Sequence, residues 1–470
     1  MTLMKTATRE GKVNAGEEAV WEESVQLFKP LYGIEDRPKN LLESILYGWQ
    51  HTLVDISPFV LPLMVATAAG VSAAESATWV SRALFAMGIA TLIMTIFGNR
   101  LPLIQGPSAT LVATLSSVVK IFGMPGMWGS AFGGALLEML LGASGVLGLL
   151  RKVFPISVSA IVVTVIGIDL GKVASSWMVG DGSSISLLLA LVTIIFILAL
   201  QYGTKNIANG VLSRGAIFFS IWIVGLGLGS LLGKVDWALV ASKPWISIPS
   251  LFPYGGPGFG WEFPVAGILG MFVAYIGSMV ESLGDYASAC AVCGEQFKVK
   301  HMNRGIMGEG LGSAISTFFG GMPCTTYTQN IGIIATTRIA SRYVVQIAAI
   351  FLMLYGVCPK FGALIVAIPR SVIGAVFVMI CGSIAMSGLR LISAVKPTSV
   401  NAFIIGFTLV ASIGVPIYTT GAAAKWVSTL PSLLQLFVTN SVIISIFVGV
   451  ISNLVLNELF KIPEDVVEDF

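Results

Sequence analysis

Apolar residues run in long blocks along most of this chain. The blocks are too continuous for the alternation of a half-buried strand or the one-sided stripe of a soluble helix. Each is close to the ~20 residues that a helix needs to cross a bilayer, and about fourteen candidates can be placed. They fall at residues 45–70, 77–98, 101–122, 127–150, 156–178, 183–203 and 213–233, then at 264–289, 303–321, 323–340, 342–359, 366–390, 399–419 and 438–460. Between 420 and 437, Ala424-Lys425-Trp426 and the leucines after it predict a short interfacial helix, not a span. The segment 234–262, with Gly256, Pro257, Gly258 and Gly260, divides the candidates seven and seven. An odd-numbered half reverses the orientation of the next, so a repeat across the two halves is inverted.

A short internal match fits such a repeat. Leu103-Ile104-Gln105-Gly106-Pro107-Ser108-Ala109-Thr110 in the third candidate aligns with Tyr327-Thr328-Gln329-Asn330-Ile331-Gly332 in the tenth. In both, an extended piece rich in Thr or Pro gives way at a glutamine to a helical run. Broken helices of this kind aim their N-terminal dipoles at a site near the midplane. The expected fold is an all-α polytopic membrane protein of seven-plus-seven inverted repeats, with short extended segments breaking spans three and ten.

Composition agrees. The chain is 55% hydrophobic and 11% charged, with mean hydropathy +0.88, where soluble domains carry roughly 25% charge. A net charge of +3, spread over connecting segments, gives no nucleic-acid footprint. The lysines and arginines divide by side. Lys5, Arg9, Lys12, Arg100, Arg151, Lys152, Lys205, Lys298, Lys300, Arg342, Arg390 and Lys461 lie with the N-terminus. The other side keeps mainly Lys120, Lys234, Lys243, Lys360 and Lys425. The positive-inside rule then places both termini in the cytoplasm. The first forty residues are polar and charged, which predicts no cleavable signal. Cys290-x-x-Cys293 has no second pair and no histidine cluster, and is read as small buried residues with no metal or cofactor.

Against this background a few polar residues stand out. Gln329 and Asn330 carry primary amides, which donate and accept in one plane and match the edge of a heterocyclic base. Helix packing is the alternative role for such a pair. Glu281 and Asp285 lie one helical turn apart, so both carboxylates leave one face ~6 Å apart along the axis. They are not expected to be ionised together in an empty pocket. Glu309 sits among Gly308, Gly310 and Gly312, where structural hydrogen bonding and ion coupling both remain open. Arg338, at the end of the tenth candidate, fits a dipole-complementing or snorkelling role. His51 follows Gln50 deep in the first candidate and is read as a structural hydrogen-bonding residue near the site. Asp169 and Lys172 are spaced to pair, while Asp55, Glu138 and Arg370 have no assigned role.

The run Gln329-Asn330-x-Gly332-x-x-x-x-Thr337-Arg338 resembles the signature of the nucleobase–ascorbate transporter family. Gln50-His51 resembles its first-span motif, and Glu281-Ser-Leu-Gly-Asp285-Tyr286 the eighth-span motif of its purine branch. The similarity covers nearly the whole chain from about residue 40. It implies a proton-coupled carrier of a xanthine or uric acid type purine, with no enzymatic activity. Sodium coupling, an ascorbate-like or uracil substrate, and an anion carrier of the same architecture are the alternatives. The implied base-binding residues are Glu281 and Gln329, completed by Ser108, Ala109 and Asn330. Asp285, Glu309, His51, Gln50, Gly332, Thr337 and Arg338 would couple or support them. Glu309 replaces the aspartate usual in purine carriers, and Ala109 stands where an aromatic often stacks on the base. The resemblance further implies a core domain (41–152 and 264–360) and a gate domain (153–263 and 361–462), flanked by cytoplasmic segments 1–40 and 463–470. It implies a homodimer in the cytoplasmic membrane, working by an elevator-like movement.

Overall fold

The computed structural model describes residues 29–54, 57–147, 155–204, 211–252 and 260–460. Asp55, Gly256, Pro257, Gly258, Arg151, Lys152, Lys205 and Lys461 lie outside the described residues. The first candidate span is two helices, α1 (Leu41–Val54) and α2 (Ser57–Ala68), followed by α3 (Ala73–Ile96). Ser72 opens α3 with a capping box closed by Glu75, which satisfies two N–H groups that a helix start otherwise leaves orphaned. Strand β1 (Gln105–Pro107) leads into α4 (Ala109–Ser144). Gly123, with φ 70° and ψ −177°, breaks α4 two residues before Pro125. Glycine alone adopts that conformation without strain, and the break falls at the predicted boundary between spans three and four. α5 (Ile156–Val179), α6 (Ser184–Gly203) and α7 (Ala216–Leu231) complete the first half.

The second half repeats the order. α8 (Val265–Cys293) and α9 (Val299–Phe318) precede strand β2 (Cys324–Thr326) and α10 (Thr328–Thr337). Then follow α11 (Arg342–Val357), α12 (Pro359–Ala367), α13 (Arg370–Ile392), α14 (Ser399–Thr420), α15 (Ser432–Thr439) and α16 (Ser441–Asn453). Among the described residues, seven helices are singly long and apolar enough to cross a membrane. The number rises to nine if the bent pairs α11–α12 (78°) and α15–α16 (86°) each make one span. Other predicted spans are spread over short pieces: the tenth is a strand of 3 residues and a helix of 10. The predicted interfacial helix is a turn at Ala424–Val427 followed by α15.

β1 and β2 pair antiparallel, Gln105 opposite Thr326, Gly106 opposite Thr325 and Pro107 opposite Cys324. The two extended segments therefore satisfy each other's backbone, which irregular chain inside a membrane protein requires. Their helices start at Ala109 and Thr328, after Ser108 and Tyr327. The structural counterpart of Gln329 is thus Thr110, not Gln105 as the sequence match aligned them. Glutamine had marked the strand in one repeat and the first helical turn in the other.

Glycines bring helix backbones together. A Cβ on Gly310 of α9 would stand 2.5 Å from the Met139 nitrogen of α4, and one on Gly388 of α13 2.5 Å from the Thr164 nitrogen of α5. Small residues at such crossings are how membrane helices gain packing where burial against lipid gains nothing. α4 packs on α8 and α9, α3 on α11, and α5 along α13.

Charged groups collect at the two ends. At one end the segment after Lys29 straps across the end of α10: Glu35 accepts from Arg100 at 3.0 Å and Arg342 Nε at 2.9 Å, and Ala340 N bonds Tyr32 O at 2.9 Å. At the other end Lys234 pairs with Asp181 at 3.3 Å and Lys243 donates to Ala74 O at 2.9 Å. Bonds from Ser183 and Ser186 to Asp181, with Lys234 beside them, hold the Asp181 carboxyl well below the usual carboxylate range. Arg370 and Ser371 line a cavity of ≈ 590 Å³ at this end with Asp181 and Lys234. Asp169 and Lys172 do pair, at 3.0 Å.

Candidate functional site

The crossing of the two strands delivers the first turns of α4 and α10 to one face of α8. Thr110 Oγ1 donates to Glu281 Oε2 at 2.8 Å. Thr328 Oγ1 donates to Asp285 at 2.9 and 3.1 Å. Each carboxylate on α8 is therefore held by a threonine hydroxyl from the opening turn of one broken helix. The partial positive charge at each helix start lies next to an acid. Ser108 Oγ lies 3.3 Å from Ser278 Oγ and ties the start of α4 to α8.

Glu281 is half-buried, while Gln329 is exposed. An opening is marked by two glycines beside them, Gly284 on α8 and Gly332 on α10, where an added Cβ meets nothing within 4 Å. Ala109, also half-buried, adds no bulk at the start of α4. The arrangement presents a carboxylate, a primary amide and helix-start N–H groups around a cleft, a mixture of donors and acceptors that can meet a polar ligand.

Behind the cleft the polar groups are buried and mutually bonded. Glu309 accepts from Ser282 Oγ at 2.7 Å, Tyr286 OH at 2.5 Å and the Thr326 N–H at 2.9 Å. It thereby pins α8, α9 and β2 together. Asn330 Nδ2 lies 3.0 Å from His51 Nδ1, both buried, which joins α10 to α1. Gln105 Nε2 donates to Thr326 Oγ1 at 2.7 Å and supports the strand pair.

The structure thus gathers Glu281, Asp285, Gln329, Ser108, Ala109 and Gly332 about the cleft, with Asn330, His51 and Glu309 behind it. Gln50 is half-buried one position before His51. Thr337 and Arg338 lie elsewhere. Thr337 Oγ1 donates to Ile333 O at 2.8 Å. Arg338 closes α10 with φ 62° and donates to Lys29 O at 2.6 Å. Both belong to the helix end and the strap. Thr110, Thr328, Ser282, Thr325 and Thr326 were missed at the sequence level. Their one signal was the density of hydroxyls around the two predicted helix breaks. Cys290 and Cys293 are free and buried, with Cys290 Sγ 3.4 Å from His301 Nδ1. No group of three metal-type ligands occurs among the described residues.

Two broken helices open onto an acidic helix inside a bundle whose long apolar helices are those of an integral membrane protein. Residues 42–421 match the family model Xan_ur_permease, described as a permease family. The chain belongs to this family, the nucleobase–ascorbate transporters. It is 31% identical to the uric acid permease PucK of Bacillus subtilis over 76% of this chain and 83% of that one. It is 31% identical to the xanthine permease XanQ of Escherichia coli over 77% and 81% respectively. Its fold is similar to the transmembrane domain of a cyanobacterium bicarbonate transporter, BicA, with a TM-score of 0.57 at 16% identity, covering 89% of this chain and 99% of that one.

Proposed function

We propose that the protein takes up a purine nucleobase of the xanthine or uric acid type, driven by protons. The observation that carries this reading is the pairing of Glu281 and Asp285 with Thr110 and Thr328, beside the exposed amide of Gln329. A base seated there would donate a ring N–H to Glu281 and exchange bonds with Gln329, with the N–H groups after Ser108 and near Asn330 taking its carbonyls. The names of the relatives support the purine class.

Proton coupling follows from two acids on one face of α8, which a single proton relieves of mutual repulsion as the base comes and goes. Sodium is the alternative, since Glu309 and the hydroxyls of Ser282, Tyr286 and Thr325 gather oxygens at one corner. α1–α4 with α8–α11 form the core domain in this reading, α5–α7 with α12–α16 the gate. The site lies wholly on core elements, as an elevator-like movement against a fixed, dimeric gate demands. Fourteen spans in inverted halves and both termini in the cytoplasm complete it. Competition of labelled xanthine counterflow by unlabelled uric acid, xanthine and uracil in proteoliposomes tests the substrate class. Inhibition by the two purines well ahead of uracil is expected; the reverse order would refute it.

A further inference from the structure

Glu138 lies on α4 where that helix crosses α9, and the site described above does not use it. Its side chain is 0% exposed, and neither carboxyl oxygen meets a hydrogen-bond donor among the described residues. The crossing is very close: Gly310 and Gly142 each abut the opposing backbone, Gly310 at Met139 and Gly142 at Met307. Glu138 neighbours Met139 and Glu309 neighbours Gly310, so the two acids flank one glycine contact and act on each other electrostatically. From the elements packed on α4, the other titratable groups acting here are Tyr275, Asp285 and Tyr286 of α8 and Cys324 of β2. α2, α15 and α16 bring none, and α5 brings Asp169 and Lys172, which pair with each other. No cation faces the pair among these groups.

An ionised carboxylate with no donor and no cation has no stable place in such packing. The two acids are unequal. Glu309 has three donors and is built to be the anion, while Glu138 has none and is built to be the acid. We propose that Glu138 and Glu309 form a proton-holding pair at the α4–α9 crossing, with Glu138 carrying the proton at rest. Passage of the Glu138 proton to Glu309 would loosen the bonds to Ser282 and Thr326, which neighbour Glu281 and the start of α10. The unpartnered Glu138 anion left behind would at once take up the next proton. The pair is thus placed to link proton content to the cleft. This link rests on the proton-coupling reading; the resting proton on Glu138 does not.

Two measurements separate them. Infrared difference spectra of the purified protein against Glu138→Gln at pH 7 report the proton directly. Loss of one buried neutral-acid carbonyl band in the variant is expected, and no loss of such a band overturns the proposal. In proteoliposomes, Glu138→Gln should keep xanthine counterflow within about threefold of the parent but lower proton-driven accumulation at least tenfold, with a flattened pH profile. Accumulation and pH profile unchanged within twofold would overturn the link. Should Glu138→Gln fail to fold, Glu138→Met, apolar and of similar length, is read in the same two assays. If the parent itself ignores a proton gradient, the coupling reading fails while the infrared result still decides the resting proton.

Discussion

Replacing Glu309 by leucine removes a carboxylate that holds three elements of the core together. Ser282 keeps a partner, because its Oγ also lies 2.9 Å from Thr325 Oγ1. The Thr326 N–H and the Tyr286 hydroxyl lose theirs in a buried setting. Each orphaned buried donor costs about 1–3 kcal/mol, so Glu309→Leu should destabilise by roughly 2–6 kcal/mol. Glu309→Gln keeps a carbonyl for Ser282 and Thr326, and Tyr286 can turn to accept from the new amide. Its cost should be only the charge-assisted share, about 1–2 kcal/mol. At 470 residues the size scaling gives roughly 1 °C of Tm per kcal/mol, so the expected losses are about 2–6 °C and 1–2 °C. Thermal unfolding of both variants in one detergent, followed by tryptophan fluorescence, measures the difference. Leucine no more damaging than glutamine would refute the account of Glu309 as the tie between α8, α9 and β2.

Glu281→Gln should leave the protein folded while weakening purine binding by about 2–5 kcal/mol; calorimetric affinity within about threefold of the parent would exclude Glu281 from the cleft. Gln329→Glu replaces a group that donates and accepts with one that only accepts, and should raise the inhibition of xanthine uptake by uracil. Unchanged relative inhibition would show that Gln329 does not read the base. At the far end, Asp181 has a depressed folded value, so its contribution is present above the unfolded value near ~3.9 and lost as pH falls through the folded one. Asp181→Asn should therefore lower Tm at pH 7 and narrow its gap to the parent as pH falls below ~4; a gap independent of pH would contradict the assignment.

The helical bundle was legible because an apolar environment forces backbone groups to be satisfied locally, and long apolar runs have few other solutions. The breaks before α4 and α10 were legible for the same reason in reverse: Pro107, Pro323 and the Thr325–Thr328 run interrupt a helix. The pairing of β1 with β2 was not, since it joins residues over 200 apart in sequence and depends on how the halves cross. For the same reason Thr110 and Thr328 could not be matched to Glu281 and Asp285, nor Glu138 to Glu309. Arg338 stands apart from Glu281 and Gln329 because the motif that contains it spans both the cleft end of α10 and the end that the N-terminal strap covers. Glu281, Asp285 and Gln329 stood out in the sequence because amides and acids are costly in such surroundings unless something specific meets them.

The central claim is that a purine and a proton meet at Glu281 and Asp285. Uptake of labelled xanthine into sodium-free proteoliposomes, with choline replacing sodium and an inward proton gradient imposed, tests it most directly. Concentrative uptake that collapses with a protonophore, and is absent in Glu281→Gln, is the predicted result. Uptake that appears only when sodium is restored and ignores pH, or that survives Glu281→Gln unchanged, would contradict it.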